Sequence, residues 1–450
     1  MQHIKSMKHF IFVLSVLFFL SSLHGQYQIE YWENQNKRSE GNLVNGKEDS
    51  VWTYYYSNGK KQMEGLYQNG KHIGNWKSWY STGQLWSDYY PETGTFTSWY
   101  PDGKLESKGF FKNYLKTGEW IFYYNNGKIS KKCTYVNDSL EGLCEEFHEN
   151  GVKSFEGIYL NNNLHNVGKW WYDNGKMEMR GKLREGLQDS IWHYYYENGQ
   201  LGSKGNFIDG LQDGVWIYYY ETGEKWKAGA FKEGKRTGIW TAWYENGEKQ
   251  REGSFLDDKE NGKWTQWYES GKKMDEGNFC LGEMCNTWEG WYPSGIQKYH
   301  IQYQHNVKHG KYIYYWENGK LRSKGSYKND IRNGKWIEYS QLGNKLEVGK
   351  LKEGKKEGMW SFYGKRGELV RKQNFKNHLP SGKWIEYYPN GLKQREGSYD
   401  NLVKTGIWTF YDEKGKITYQ VLYKGGIISK VLVDVKPENK KSSEINSKLR

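Results

Sequence analysis

Proline is almost missing from this chain, with 6 among 450 residues against 54 glycines. That balance suits many strands joined by tight glycine turns, because proline cannot donate to a sheet ladder. Aliphatic residues are sparse as well. The mean hydropathy of −1.00 leaves no material for a deep interior of Leu, Ile and Val. After Phe10–Leu20 no stretch is apolar enough to cross a bilayer as a helix. Catalytic signatures are missing too: no Ser-His-Asp order, nucleophile elbow, phosphate-binding loop or paired-carboxylate motif stands out. The sequence therefore gives no reason to expect an enzyme or a cofactor.

What is abundant is aromatic: Phe, Trp and Tyr make up 18% of the residues. These rings bury large surfaces while keeping a polar tip in water, which suits a thin structure. They are arranged in a repeat. A turn glycine recurs every 24 residues from Gly103 to Gly415, and Gly59 and Gly83 precede a four-residue deletion. A fixed period of this length marks a repeat array. Each unit holds two strand signals and two turn signals. The first turn reads Asn-Gly-Lys or close to it, as at Asn58-Gly59-Lys60 and Asn318-Gly319-Lys320, and is expected to be a two-residue type I′ turn. The second is polar, as at Lys232–Thr237, and is expected to be a loop of about four to six residues. The predicted fold is all-β: an elongated single-layer antiparallel meander of β-hairpin repeats.

Glycine lies eleven residues before tryptophan in Gly41/Trp52, Gly109/Trp120, Gly253/Trp264, Gly349/Trp360 and many other units. In a meander of this register each indole lies over the bare backbone of a glycine, on one face of the sheet. A second column is expected on that face, with Phe231 opposite Gly238, Tyr67 opposite Gly74 and Tyr327 opposite Gly334. Three residues after each seated tryptophan comes another aromatic. Odd spacing puts these on the opposite face, where Lys320, Arg322 and Lys324 are expected beside them. Trp79, Trp99, Trp243, Trp267, Trp291, Tyr315 and Tyr339 are the candidate binding residues. Gln373, eleven residues before Trp384, breaks the glycine rule.

Cys133 and Cys144 replace one Gly–Trp pair together, and Cys280 and Cys285 obey the same register six periods later. Bridges Cys133–Cys144 and Cys280–Cys285 are expected, with four free thiols as the alternative. His300, His305 and His309 cluster near one loop without a fixed carboxylate, so no metal site is expected. Lys5 and Lys8, the apolar Phe10–Leu20 run and a small, polar stretch after it read as a signal peptide over 1–25, starting at Met1 or Met7. The expected order continues with a cap at 26–37, about sixteen hairpin units over 38–423, a closing strand at 424–435 and a disordered basic tail at 436–450. The mature chain is then exported, to the periplasm or the cell surface. The net charge of +13 is spread among interleaved Lys and Glu rather than gathered in one patch.

The unit Asn-Gly-Lys, then Gly-x-Tyr, then Gly-x-Trp-x-x-Tyr resembles the bacterial variant of the MORN repeat. The resemblance covers about Tyr31 to Tyr423. It implies stacked β-hairpins, no catalytic residues, and association with protein scaffolding or, in some variants, with antitoxin partners of the YwqK type. The expected function is an exported, non-catalytic binding or scaffold protein. A protein partner comes first, with anionic glycans or lipid headgroups next and no nucleic acid. The alternative is an immunity protein that neutralises a toxin by direct binding.

Overall fold

The computed structural model describes residues 25–435, and every regular element there is a strand, from β1 (Gln26–Tyr31) to β35 (Ile427–Asp434). The export signal expected at 1–25 lies, but for Gly25, outside the described residues, as does the tail expected at 436–450. The chain divides into two compact units, Met1–Gly199 and Gln200–Arg450. The first holds β1 to β15 (Leu187–Tyr195) and the second β16 (Leu201–Ile208) to β35. Within each unit the strands are antiparallel and pair with their neighbours in the chain, so each is a single-layer meander. The cap supplies β1 and the closing stretch supplies β35.

The two turns are the reverse of what the sequence suggests. At Asn58-Gly59, Gly59 N–H donates to Tyr56 O and Tyr56 N–H to Lys60 O, both at 2.9 Å. Ser57, Asn58 and Gly59 therefore form a three-residue loop. Gly59 has a φ of 81°, while Asn58 stays at negative φ; this is a type I turn closed by a glycine bulge. The Asn58 side chain ties the loop to the next one. Its Oδ1 accepts Lys60 N–H at 3.1 Å and its Nδ2 donates to Ser81 O at 3.0 Å. A register shift between Tyr54 and Tyr55 absorbs the extra loop residue, so Trp52 still faces Gly65.

The polar turns, expected to be long, are the tight ones. Lys232 pairs with Lys235, leaving Glu233 and Gly234 at φ 51° and 79°, the signature of a type I′ turn. The residues saved there reappear as a bulge at Gly238-Ile239, with Gly238 at φ 63°. The expected second column is corrected accordingly. Phe231 faces Arg236, Tyr67 faces His72 and Tyr327 faces Arg332. The glycines that Phe231 and Tyr327 do face, Gly214 and Gly310, lie on the preceding strands.

The indole–glycine column holds in most repeats. A Cβ added to Gly253 would lie 2.1 Å from Trp264, and one on Gly349 would lie 2.1 Å from Trp360. No side chain but hydrogen leaves room for the ring. Most seated indoles also donate to the carbonyl just after their glycine, as Trp264 Nε1 does to Ser254 O at 3.1 Å and Trp360 Nε1 to Lys350 O at 3.0 Å, whereas Trp336 Nε1 donates to Glu338 Oε1 at 3.1 Å. Neighbouring rings close on its edge: Phe255 meets Trp264 at 5.1 Å and 85°, a geometry worth about 0.5–1.5 kcal/mol beyond area. A cation covers the outer side, with Arg251 4.1 Å above Trp264 and Lys356 4.2 Å above Trp360. This column is the core, with its seated rings buried.

The exception at Gln373 now has a physical account. Gln373 faces Trp384 and is buried, so its side chain occupies the indole's seat. Trp384 stays half-buried and its Nε1 is enclosed without a partner, which costs about 1–3 kcal/mol. Gln373→Gly should let the ring down onto the backbone. The gain is partly offset by about 0.5–1 kcal/mol for glycine in a strand. A net stabilisation of about 1 kcal/mol is expected, read as a higher urea midpoint.

Candidate functional site

Strand alternation assigns the second aromatic set to the face opposite the core column. Trp79 ends β5 (Lys71–Trp79) and Trp99 ends β7 (Thr95–Trp99) in the first unit. In the second unit Trp243, Trp267, Trp291, Tyr315 and Tyr339 end β19 (Lys235–Trp243), β21 (Lys259–Trp267), β23 (Glu283–Trp291), β25 (Val307–Tyr315) and β27 (Ile331–Tyr339). All seven are half-buried. The five in the second unit form one row on alternate strands, about 10 Å apart from ring to ring.

Lysines stand between the tryptophans. Lys249 is the register partner of Trp243, and its ammonium lies 5.6 Å from the Trp267 ring; Lys273 sits likewise between Trp267 and Trp291, at 5.5 Å. Each is held by the glutamate three residues on, Lys249 to Glu252 at 2.6 Å and Lys273 to Glu276 at 2.8 Å. Thr241 and Thr265 donate to the same two carboxylates, at 3.0 and 3.1 Å. Lys61, Glu64 and Thr53 repeat the arrangement beside Trp79. This row was expected to be aromatic and basic. It is aromatic with charges that cancel. Lys324 does lie on this face, between Ile313 and Ile337. Arg322 does not: it is the bulge residue between Leu321 and Ser323, and it packs over Tyr314 on the core face. Lys320 spans the turn edge and donates to Leu342 O at 2.8 Å.

These contacts set the acid behaviour of the face. Hydrogen bonds from Lys37 and then Tyr55 hold the Glu40 carboxyl at about 2. Burial, followed by the bond to Glu40, pushes Tyr55 up to about 12. The Lys249 bond likewise holds Glu252 below the usual carboxylate range. A carboxyl whose folded value is depressed stabilises fully above its unfolded value, about 4.3 for glutamate, and loses that contribution as pH falls through the folded value. The thermal midpoint should therefore drop between about pH 4.5 and 2. Glu40→Gln should flatten part of that drop in a series of circular-dichroism melts.

One group of residues was passed over in the sequence. In most repeats an aromatic immediately follows the second-face ring and ties one repeat to the next through the backbone. Tyr220, Tyr244 and Tyr268 hydroxyls donate to the carbonyls of Trp243, Trp267 and Trp291, each at 2.8 Å, and Tyr56 to that of Trp79 at 2.7 Å. Trp316 Nε1 serves Tyr339 O at 3.2 Å. The signal is the aromatic doublet that stands ahead of most of these turns. The rings of the row thus stand on backbone held in place from the neighbouring repeat.

Cys133–Cys144 and Cys280–Cys285 are both bridged, the first across a direct register pair. The three histidines go to different partners: His300 to Glu289 at 2.9 Å, His305 to Glu283 at 2.6 Å and His309 to Asn329 at 3.1 Å. A shallow depression of about 320 Å³ is lined by Lys263, Glu276, Asn278, Thr287 and Glu289. Among the described residues no helix is long and apolar enough to cross a membrane, which says nothing of strands.

Nine stretches of the chain match the MORN repeat variant: residues 48–69, 92–113, 116–137, 140–161, 236–257, 260–280, 308–329, 380–401 and 404–424. No curated protein matches the chain. Among solved structures it is similar to the crystal structure of TcdB2-TccC3-TEV, at 11% identity and a TM-score of 0.15 over 89% of this chain and 24% of that one. It is also similar to a Photorhabdus luminescens Tc holotoxin pore, at 12% identity and a TM-score of 0.15 over 92% and 24%. The chain spans about a quarter of the length of each.

Proposed function

We propose, for a chain that is a MORN-repeat protein by nine of its hairpins, a non-catalytic binding or scaffold function outside the cytoplasm, with the second face as the working surface. The observation that carries this reading is the division of labour between the faces. One face is sealed by indoles on glycines. The other presents half-buried Trp and Tyr rings at a fixed interval, held from behind by hydrogen bonds from the preceding repeat to their backbone carbonyls. A reaction needs one singular constellation of groups, whereas a binding surface can be built from the same group repeated. The two disulfides support an oxidising compartment, hence export. A protein partner is favoured because aromatic anchors beside matched charges are the usual centre of a protein interface.

The test is cell fractionation followed by cross-linking, with wild type compared to a Trp243→Ala/Trp267→Ala/Trp291→Ala variant. The expected result is an envelope or extracellular location and a cross-linked protein lost in the variant, with the strand signal in circular dichroism unchanged. A cytoplasmic location, or the same cross-links from both proteins, would contradict it. Growth arrest on deleting this chain beside a neighbouring toxin gene would instead mark an immunity role of the YwqK type.

A further inference from the structure

The second face of the second unit is not uniform, and its departure lies on β17 (Leu211–Tyr219), β18 (Lys225–Lys232) and β19. In most repeats the residues flanking the repeat glycine are charged, polar or bulky. In β18 they are Ala228 and Ala230, the one strand with alanine on both sides. On one side the matching level is apolar: Val215 and Ile217 of β17 pair with Ala230 and Ala228. On the other side Thr237 and Thr241 of β19 pair with the same two alanines, and Ile239 stands between them in the bulge. Val215 and Ile239 are 65% and 66% exposed, more than any core function would leave them. The result is a shallow trough floored by alanine, walled by Val215 and Ile217 on one side and by Ile239 between two threonines on the other, the walls two strands apart, about 10 Å.

Lysines surround it. Lys232 and Lys235 pair at the tight-turn end, Lys225 pairs with Tyr219 at the other, and Lys204 pairs with Ile217 alongside. Unlike Lys249 and Lys273, none of these four lies within ion-pair distance of a carboxylate among the described residues, and only Lys235 has one near enough, Asp258, to feel its charge. On β17, Asp213 is engaged by the turn backbone, accepting Glu233 N–H at 3.4 Å. We infer that this trough is a docking site for a protein partner that presents a ridge of aliphatic side chains flanked by carboxylates. The inference rests on the binding reading above and names the place and the chemistry. Branched aliphatic walls suit a protein ridge, where a sugar would call for flat rings on both sides. The unpaired lysines demand acidic groups at its ends. A second copy of this chain would bring the same lysines face to face, which like-charge repulsion disfavours.

The probe is a fluorescein-labelled nonapeptide with alternating valine and threonine at its centre and two glutamates at each end. Its counterparts carry serine or lysine in place of glutamate. Binding to the full chain is read by fluorescence anisotropy. The acidic peptide should bind, and both counterparts should bind about tenfold more weakly or not at all. Val215→Ser/Ile239→Ser should weaken the acidic peptide about tenfold. Met359→Ser/Ile407→Ser, at exposed sites away from the trough, should leave it unchanged. Equal binding of all three peptides, equal loss in both double variants, or no binding of the acidic peptide would overturn the trough. Partner cross-links through Trp267 and Trp291 that survived Val215→Ser/Ile239→Ser would overturn the trough alone, leaving the general binding reading in place.

Discussion

Gly349→Ala is expected to lose about 3–5 kcal/mol, the range found for deleting a buried aromatic outright. The added methyl would sit 2.1 Å from Trp360 Cδ2 and 2.2 Å from Cε2, so the indole must leave its seat. With it go the bond to Lys350 O, the cover by Lys356 and a ring that is 1% exposed. Because contacts run between neighbouring strands, the damage should stay local. Amide exchange should accelerate in β28 (Lys345–Lys352) and β29 (Lys355–Tyr363) while β33 (Val403–Tyr411) keeps its protection. The chain itself indicates the suppressor. Where glycine is lost, the tryptophan is usually lost with it, as in Ile301 with Tyr312 and Cys133 with Cys144. Gly349→Val/Trp360→Leu should therefore cost less than the sum of the two single changes, a coupling that a double-mutant cycle measures. Simple additivity would mean that ring and glycine do not depend on each other.

The second large effect is at the cysteines. Cys133 and Cys144 are each 1% exposed and stand where Gly and Trp stand elsewhere. Their bridge is expected to contribute about 2–4 kcal/mol, and Cys133→Ser/Cys144→Ser should lower the stability of the first unit by that amount. Cys133→Gly/Cys144→Trp should restore most of it, because the repeat's own solution is put back. That variant should also be indifferent to reductant at this position. Cys280 is exposed at a turn end, so mild reductant on the folded protein should open Cys280–Cys285 first and leave Cys133–Cys144 closed. Peptide mapping after alkylation reads both results. A glycine–tryptophan variant no better than the serine pair would show that position in the array, rather than pairing, decides what fits there.

Much of this was legible in the sequence because a repeat reports its own register. The eleven-residue offset between Gly253 and Trp264 placed every seated indole, and the odd step to Trp267 placed the other row. What the sequence hid was compensation. Two departures from regular pairing in each repeat, the glycine bulge at Gly59 and the wide bulge at Gly238, cancel against the turn lengths. The Trp–Gly pairs therefore came out right even though both turn types were assigned wrongly. The misplacements arise at those bulges: Gly238, the expected partner of Phe231, is a bulge residue, and Arg322, itself a bulge residue, turns to the other face. Charge pairing is readable in the Lys-x-x-Glu spacing of Lys249/Glu252 and Lys273/Glu276, where interleaving alone shows only that the charge is spread. The trough at Ala228 and Ala230 has no period at all, so repeat logic could not reveal it.

The account turns on two classes of tryptophan, one seated and one presented. Oxidation of the folded protein with a small water-soluble reagent, read peptide by peptide by mass spectrometry, separates them directly. Trp120, Trp192, Trp264, Trp360 and Trp408 should be protected until the chain unfolds, while Trp243, Trp267 and Trp291 react in the native state. Equal reactivity in the two sets, or earlier oxidation of Trp264 than of Trp267, would contradict it.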